Sequence, residues 1–364
     1  MPGAGRDARR GRPRPEPRVT GTKPFPSDLA VPGMRHGCVP RAPAYGARLL
    51  GLDPAAAQAM PGVQVVRDGD FVGVVAHTAR AARAAAGAIA ADWELTAQPG
   101  PAELEAYLRA HPVGGQGFSA PYRHAAGDVD AALAAGPSRL TASYTTAYLA
   151  HVPLEPRVAL ARWEAGRLTV WVGTSTPFRV RGELAEALGL DEAGIQVIVP
   201  DYGGGFGGKH GPAVALEAAR LARAADGPVK VAWSREEEFR WGTCGPPRSS
   251  TSPPARTPPG SSPAGRSPIS IPGRPGLGGA LFEQVDFADG VIRNASLSQY
   301  RVPRLPDVPP VEAILVDRPD QPSAGGGETP LIAVAPALAN AIRAATGTRL
   351  RSLPLAPQGK LSRV

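Results

Sequence analysis

The stretch from Gly203 to Lys209 is the part of the sequence best suited to chemistry. Five glycines surround Phe206, directly after an apolar, strand-like segment and ahead of a helix-like one. Glycines let the backbone approach a ligand closely and aim consecutive N–H groups at it. The spacing Gly203-x4-Gly208-Lys209 also satisfies most of a phosphate-binding loop, but His210 stands where that loop needs a hydroxyl for Mg²⁺. The pattern favours an anion or nucleotide site over a mobile turn, and disfavours a P-loop nucleoside triphosphatase.

Glu328 is the second candidate for chemistry. It follows three glycines and precedes Thr329 and Pro330, which predict the N-cap and the first residue of a helix. A carboxylate at such a backbone junction could act as a general base if it were held near a reacting atom. It could also stabilise the positive end of the helix dipole, and local spacing alone favours this second role.

His151 and Glu155 belong to the segment HVPLEP, between a predicted strand and a predicted hairpin. The chain has six histidines, and none shows the H-x-x-x-H or H-E-x-x-H spacing of a metal site. A structural turn is therefore the better interpretation of this segment, and no metal-ligating residue is predicted. The two cysteines, Cys38 and Cys244, cannot hold an iron–sulfur cluster, which needs about four thiolates.

Hydrophobic periodicity predicts the elements that must position these residues. Asp68-Gly69-Asp70 predicts a hairpin turn, Thr78 the N-cap of an alanine-rich helix, and Gly189 a helix end. Pro336 should kink the last helix unless it falls in the first turn. The predicted strands lie within 62–76, 138–150, 157–174, 195–200, 229–234, 281–297 and 311–316, and the predicted helices at 78–94, about 178–189, 213–226 and 331–347.

The net charge of +8 lies in two segments rich in proline, glycine, serine and arginine. Residues 1–23 carry seven basic and two acidic residues, and residues 246–278 carry four arginines and no acid. Neither segment has hydrophobic periodicity, so both are predicted to be disordered. Neither interleaves aromatic residues with its arginines, so no nucleic-acid partner is predicted.

The sequence predicts neither a membrane span nor a secretion signal. No run reaches 18 apolar residues, which a transmembrane helix needs. Pro13, Pro15 and Pro17 stand where a signal peptide requires an apolar core. We therefore expect a cytoplasmic protein.

Three segments together resemble the molybdopterin-binding large subunit of the molybdenum hydroxylases, the family of xanthine dehydrogenase and aldehyde oxidase. These segments are TASYTTAYLAHVPLEP, LTVWVGTSTPFRVRGELAEALGL and IQVIVPDYGGGFGGKHG, in that order. The stretch from residue 298 to the helix after Glu328 resembles the end of the same subunit. Residues 19–97 resemble the α/β hammerhead domain at its start. The resemblance covers residues 19–97, about 134–245 and about 279–357.

The resemblance implies a pterin-bound molybdenum that hydroxylates an aldehyde or aromatic N-heterocycle with oxygen derived from water. It implies that Glu328 is the catalytic base, which raises that role above the helix-dipole role favoured by local spacing. The cofactor implied is molybdenum–molybdopterin in its cytosine dinucleotide form. The [2Fe–2S] cluster and FAD would belong to partner subunits, a small and a medium one. The cofactor-binding residues implied are Gly203, Gly204, Gly205, Phe206, Gly207, Gly208 and Ser175.

Three departures from the family pattern matter. Ser175 replaces the glutamine whose amide commonly hydrogen-bonds a molybdenum ligand, and it reaches less far. His210 replaces the glutamate that binds purine in xanthine-oxidising members, which argues against xanthine. The central part of the family's subunit has no counterpart, so the chain resembles an internally truncated subunit.

We hypothesise that residues 246–278 are frame-shifted or spliced sequence that bridges a deletion. Resequencing the locus tests this hypothesis. An intact reading frame with the same proline run in close relatives would contradict it.

The expected fold class is α+β: a hammerhead α/β domain, then incomplete molybdopterin-binding domains, with a disordered N-terminus and central linker. The expected function is a molybdopterin-binding oxidoreductase subunit acting on a small molecule, with activity in doubt because of the deletion. The alternatives are a non-catalytic remnant and a nucleotide-binding module using Gly203–Lys209. The expected divisions are a basic tail at 1–18, the hammerhead-like domain at 19–97, a linker at 98–133, the first molybdopterin-binding domain at 134–245, the disordered junction at 246–278, and part of the second molybdopterin-binding domain at 279–364.

Overall fold

A computed structural model describes residues 20–111, 127–128, 131, 134, 140–245, 248–255, 273–309, 329–357 and 359. The chain divides into two compact units. The first contains Leu49–Asp92, Val152–Ser234 and the N-terminal part up to Arg41; the second contains Ala42–Arg48, Trp93–His151 and the part from Arg235 onward. These units do not follow the predicted domain boundaries, because the first draws on both the hammerhead-like stretch and the stretch after residue 134.

The helices and strands are short and are interspersed along the chain. The strands are β1 Arg35–Cys38, β2 Arg48–Asp53, β3 Gln64–Asp68, β4 Phe71–Ala76, β5 Ala90–Glu94, β6 Leu140–Thr146, β7 Leu149–Ala150, β8 Val158–Glu164, β9 Arg167–Val172, β10 Ile195–Ile198, β11 Val229–Ala232, β12 Cys244–Gly245, β13 Arg248–Ala255, β14 Phe287–Ala288, β15 Val291–Ile292 and β16 Ser352–Leu353. The α-helices are α1 Ala55–Gln58, α2 Ala79–Ala88, α3 Leu104–Ala110, α4 Pro177–Leu188, α5 Ala213–Ala225, α6 Arg235–Trp241, α7 Gly273–Leu281 and α8 Val334–Thr346. Short 3₁₀ helices lie at Pro26–Asp28, Glu192–Gly194, Leu305–Asp307 and Thr329–Ala333.

A seven-stranded mixed sheet forms the centre of the first unit, in the order β10-β9-β8-β11-β1-β4-β3. The alanine-rich face of α5 packs on it, and Ala215, Ala218 and Ala222 are fully buried there. Two strand glycines make room for this helix: a Cβ added at Gly37 or Gly73 would lie 2.5 or 2.8 Å from the side chain of Leu221. Small residues on both sides therefore allow helix and sheet to approach closely.

Several sequence predictions are confirmed in the first unit. The hairpin of β3 and β4 turns at Gly69, which has φ +60°, as glycine allows at low cost. The hydroxyl of Thr78 accepts a hydrogen bond from the N–H of Ala81 at 3.2 Å and caps α2. Gly189 ends α4 in the left-handed conformation. In the second unit, Pro336 lies in the first turn of α8, where a backbone N–H has no partner within the helix. This is the position at which the sequence predicts no kink.

Other expectations differ from the structure. Residues 90–94, expected to continue the helix of Thr78, form β5 paired with β2. The expected linker contains α3. The expected disordered junction contains β13, which pairs antiparallel with β6, and the start of α7. For β5 and β13, tertiary pairing of the backbone outweighs local composition, because an open strand such as β6 leaves N–H and C=O groups that a neighbour can satisfy. The tail 1–18 and the strand expected at 311–316 lie outside the described residues.

None of the helices in the described part of the chain has the length and apolar character needed to cross a membrane. The cytoplasmic location stays a prediction.

The second unit contains a buried carboxyl group, Glu283. Its Oε2 accepts a hydrogen bond of 3.3 Å from the hydroxyl of Tyr300, and that hydroxyl accepts one of 3.1 Å from the N–H of Ala150. Burial raises the pKa of Glu283 to about 7, and the hydrogen bond from Tyr300 offsets only part of this effect. Burial, followed by the nearby carboxylate, raises the pKa of Tyr300 well above its ordinary value. Glu283 is therefore held in a site that favours its protonated form.

We predict that this site makes the stability of the second unit fall as pH rises. A carboxyl group with a raised pKa contributes its full stabilisation below its unfolded-state pKa, and loses it as pH passes through about 7. The loss should approach about 3 kcal/mol at high pH. Glu283→Gln should flatten urea-unfolding stability between pH 5 and pH 8.5, whereas the exposed control Glu105→Gln should keep the wild-type slope. Parallel pH profiles for wild type and Glu283→Gln would contradict the account.

Candidate cofactor site

The glycine loop, Gly203–Gly208, connects β10 to the segment leading into α5 in the first unit. Gly204, Phe206 and Gly207 all have positive φ, at +80°, +50° and +90°. For a non-glycine residue such as Phe206 this conformation costs about 1 kcal/mol. A Cβ on Gly204 would lie 3.0 Å from the Phe206 ring, so the ring covers a position that only glycine leaves open. Such a backbone persists only when its surroundings hold it in place.

Glu155 holds the start of the glycine loop. Its Oε2 accepts the N–H of Gly203 at 2.8 Å, and its Oε1 accepts the N–H and the hydroxyl of Ser27 at 3.1 and 2.8 Å. The approach is close, because a Cβ on Gly203 would lie 2.6 Å from the Cβ of Glu155. Ser27 is itself held by Lys230, whose ammonium donates to its carbonyl oxygen at 2.8 Å. The carboxylate therefore joins the glycine loop to the N-terminal segment of the unit.

Lys209, directly after the glycine loop, points into the protein. Its side chain is 4% exposed, and its Nζ lies 3.7 Å from Oε2 of Glu155, whose side chain is 10% exposed. The ammonium also lies 5.4 Å from the centroid of the Tyr202 ring. At 3.7 Å the contact with Glu155 is an ion pair without a direct hydrogen bond. Each charge compensates the other in a site where either one alone would be costly.

Arg157, two residues beyond Glu155, holds the other end of the loop. Its guanidinium donates to the carbonyl oxygen of Gly208 and lies 5.3 Å from the centroid of the Trp233 ring. Arg41 lies over the same ring at 4.7 Å, and the indole N–H donates to Oε2 of Glu217 at 2.8 Å. Glu155 and Arg157 thus fix the two ends of the loop from one short segment.

Ser175 lies beside the C-terminal end of the loop. The hydroxyl of Thr174 donates to the carbonyl oxygen of Lys209, and the hydroxyl of Thr176 donates to that of His210, both at 2.9 Å. Ser175, exposed between these two anchors, is held near the loop by its neighbours. The structure therefore brings together six loop residues and Ser175, all predicted as cofactor-binding. Glu328 lies outside the described residues.

The middle of the loop is open to a ligand. The N–H groups of Gly205, Phe206 and Gly207 donate no hydrogen bond to any other described residue, and the Phe206 ring is 55% exposed. Consecutive backbone donors on a left-handed bend form a concave site for acceptor atoms. The loop residues therefore fit a ligand that presents oxygen or nitrogen acceptors and a flat face.

The geometry disfavours two other interpretations, a P-loop at Gly203–Lys209 and a metal site that uses His151. A phosphate-binding loop needs its lysine to reach the phosphates, but Lys209 is buried against Glu155. His151, in the second unit, donates from Nδ1 to the carbonyl oxygen of Thr243 at 2.7 Å, which agrees with a structural turn. Among the described residues, no three His, Cys, Asp or Glu side chains gather as a metal site.

Comparison with known proteins places the glycine loop within a cofactor-binding domain. Residues 111–252 match the molybdopterin cofactor-binding domain family, so the match includes the whole loop and continues past residue 246, where the junction was expected to begin. The chain is 34% identical over 240 residues to a nicotinate dehydrogenase subunit from Pseudomonas putida, covering 62% of this chain and 19% of that protein. It is 30% identical over 251 residues to the nicotinate dehydrogenase large molybdopterin subunit of Eubacterium barkeri, covering 60% and 59%.

The fold agrees with these sequence matches. The crystal structure of quinoline 2-oxidoreductase from Pseudomonas putida 86 superposes with a TM-score of 0.52 at 27% identity, covering 63% of this chain and 35% of that one. Residues 111–252 thus correspond to a molybdopterin cofactor-binding domain. The chain is similar in sequence and fold to large subunits of the molybdenum hydroxylases. It spans 19% and 59% of the lengths of the two nicotinate dehydrogenase subunits.

The residues that hold the loop were not predicted as functional. The sequence pattern places Glu155 in a turn and gives no functional signal at Arg157, Thr174 or Thr176. Their spacing offers one weak signal, a carboxylate and a guanidinium two residues apart just before β8, but the loop groups that they contact lie 48 and 51 residues further along the chain. Which backbone groups they reach depends on the tertiary fold.

We predict that Glu155→Ala destabilises the first unit by about 3 kcal/mol, because it leaves the Lys209 ammonium buried without its counter-charge. Adding Lys209→Met should recover part of this loss, since the unpaired charge is then removed. Urea unfolding followed by tryptophan fluorescence measures both effects. The control Glu192→Gln, which removes an exposed ion pair with Arg181, should change stability by less than about 0.5 kcal/mol. Equal effects of Glu155→Ala and this control would contradict the assignment.

Proposed function

We propose that the chain is a molybdopterin-binding subunit of an oxidoreductase that hydroxylates an aldehyde or an aromatic N-heterocycle with oxygen derived from water. The observation that carries this proposal is the glycine loop. Its ends are fixed by Glu155 and Arg157, and its central N–H groups are left without a partner among the described residues. A preorganised row of donors binds a ligand without the entropic cost of ordering the loop.

Individual residues have separate roles in this proposal. The N–H groups of Gly205, Phe206 and Gly207 donate to acceptor atoms of the cofactor, and the exposed Phe206 ring lies against it. The hydroxyl of Ser175 supplies a further donor, with a shorter reach than the glutamine common in the family. When bound, molybdenum–molybdopterin, proposed in its cytosine dinucleotide form, supplies the redox centre for the oxidation of the substrate carbon. Glu328 acts as the base that accepts the proton of the attacking oxygen.

The relatives support the substrate class. Their names specify nicotinate dehydrogenase, isoquinoline 1-oxidoreductase from Brevundimonas diminuta and quinoline 2-oxidoreductase. Each of these names contains an aromatic N-heterocycle, whereas other relatives are named aldehyde oxidoreductase molybdenum-binding subunits, so the proposal keeps both substrate classes. The names also describe subunits of larger enzymes. We propose a small subunit carrying a [2Fe–2S] cluster and a medium subunit carrying FAD as partners, because the two cysteines of this chain cannot hold a cluster.

A second candidate is a non-catalytic remnant that retains the loop but binds no cofactor. The observation that favours it is internal to the chain, since no segment between residues 245 and 279 resembles the central part of the family's subunit. The hypothesis of an internal deletion near residues 246–278 belongs to this candidate. Both candidates share the loop geometry, so cofactor content separates them.

We predict that the chain, expressed with its partner subunits in a host that makes molybdopterin cytosine dinucleotide, purifies with stoichiometric molybdenum and pterin. Glu328→Gln should keep both and lower turnover at least about a hundredfold, because a positioned general base contributes that much. The control Glu186→Gln, an exposed position on α4, should leave turnover unchanged. A folded chain without molybdenum would contradict the enzyme and favour the remnant. Unchanged turnover in Glu328→Gln would contradict only the role of that residue.

A further inference from the structure

The second unit contains a cavity of about 420 Å³ that the proposed function does not use. Four aromatic rings line it, with the amide of Gln98 and the thiol of Cys244; we call it the aromatic pocket. The rings of Tyr45 and Trp241 lie 4.9 Å apart at 45°. Those of Tyr148 and Phe287 lie 5.7 Å apart, edge to face. The volume is in the range of small-molecule sites, which are commonly lined by aromatic side chains.

The backbone that carries these walls is fixed by hydrogen bonds. The N–H of Tyr45 donates to the carbonyl oxygen of Gly290 at 3.0 Å, and the carbonyl oxygen of Tyr148 accepts the N–H of Val285 at 2.8 Å. Cys244 pairs with Ala150 in a two-stranded antiparallel sheet. The pocket is therefore formed before any ligand binds, which lowers the entropic cost of binding.

The polar groups of the pocket select a neutral ligand. No lining residue carries a formal charge. The side-chain amide of Gln98 and the hydroxyl of Tyr148 make no hydrogen bond with other described residues. A ligand can therefore donate to the Gln98 carbonyl oxygen and accept from the Gln98 NH₂ group or the Tyr148 hydroxyl. Burial, with Cys244 nearby, raises the pKa of Tyr148, so its hydroxyl remains a neutral donor at ordinary pH. An ion would have to enter this cavity without a counter-charge, which is costly.

We propose that the aromatic pocket binds a neutral, planar heteroaromatic molecule of one or two rings. Its face packs against Trp241 and Tyr45, since offset and tilted aromatic pairs are favourable. Its ring N–H or ring nitrogen hydrogen-bonds to Gln98. The site shares no residue with the glycine loop, so it does not depend on cofactor binding.

The two cysteines of the chain provide a test with an internal control. Cys244 lines the pocket, whereas Cys38 lies in β1 of the first unit, and neither is in a disulfide. Alkylation of the full chain by iodoacetamide, resolved by peptide mass spectrometry, measures the rate at each cysteine. Indole is the probe, with the charged indole-3-carboxylate and the non-aromatic cyclohexanol as comparisons. Indole should slow alkylation of Cys244 in a saturable manner and leave Cys38 unchanged.

Variants of the lining residues test whether indole protects Cys244 by binding in the aromatic pocket. Trp241→Ala should weaken indole protection about tenfold, and Gln98→Leu should weaken it by a smaller factor. The control Gln196→Leu, exposed on β10 of the first unit, should leave it unchanged. If Trp241→Ala does not fold, Tyr45→Ala, which alters a partly exposed ring, replaces it. An unchanged Cys244 rate at saturating indole, equal protection by cyclohexanol or indole-3-carboxylate, or full protection in the folded aromatic variants would each overturn the proposal.

Discussion

The carboxylate of Glu155 is the contact on which the rest of the site depends. It accepts the N–H of Gly203 at 2.8 Å, compensates the charge of the buried Lys209 ammonium and accepts a hydrogen bond from the hydroxyl of Ser27. Without it, the glycine loop would keep its left-handed residues but lose the contact that fixes where the loop begins. Arg157 plays the matching role at Gly208. A loop that is nearly all glycine is thereby given a single conformation by two side chains outside it.

This arrangement explains why the glycine pattern does not act as a P-loop. A phosphate loop uses its lysine as a ligand-directed charge, whereas here Lys209 is turned inward and neutralised by Glu155. The donors left for a ligand are backbone N–H groups, which form a concave site for anionic or other acceptor atoms. That distinction agrees with the match of residues 111–252 to a molybdopterin cofactor-binding domain.

Elements with strong local signals were predictable from the sequence. The hairpins at β3–β4 and β8–β9 and the helix ends at Thr78 and Gly189 follow from alternation, turn residues and caps. The seven-stranded sheet could not be predicted, because it combines two groups of strands that are far apart in the sequence. One group is β1, β3 and β4, and the other is β8, β9, β10 and β11. The same limit applies to the site. The glycines were visible as a pattern, but the choice of Gly203 and Gly208 as the groups held by Glu155 and Arg157 is a property of the fold.

Amide hydrogen exchange across the glycine loop, resolved by NMR with and without the bound cofactor, measures whether Glu155 fixes the loop and whether the central N–H groups contact the cofactor. We expect the Gly203 amide to be protected in both states, because Glu155 accepts its hydrogen bond in either. The amides of Gly205, Phe206 and Gly207 should exchange rapidly without cofactor and slowly with it. Rapid exchange of Gly203 in the cofactor-free chain, or no change at the three central amides on binding, would show that Glu155 does not hold the loop or that the cofactor does not bind there.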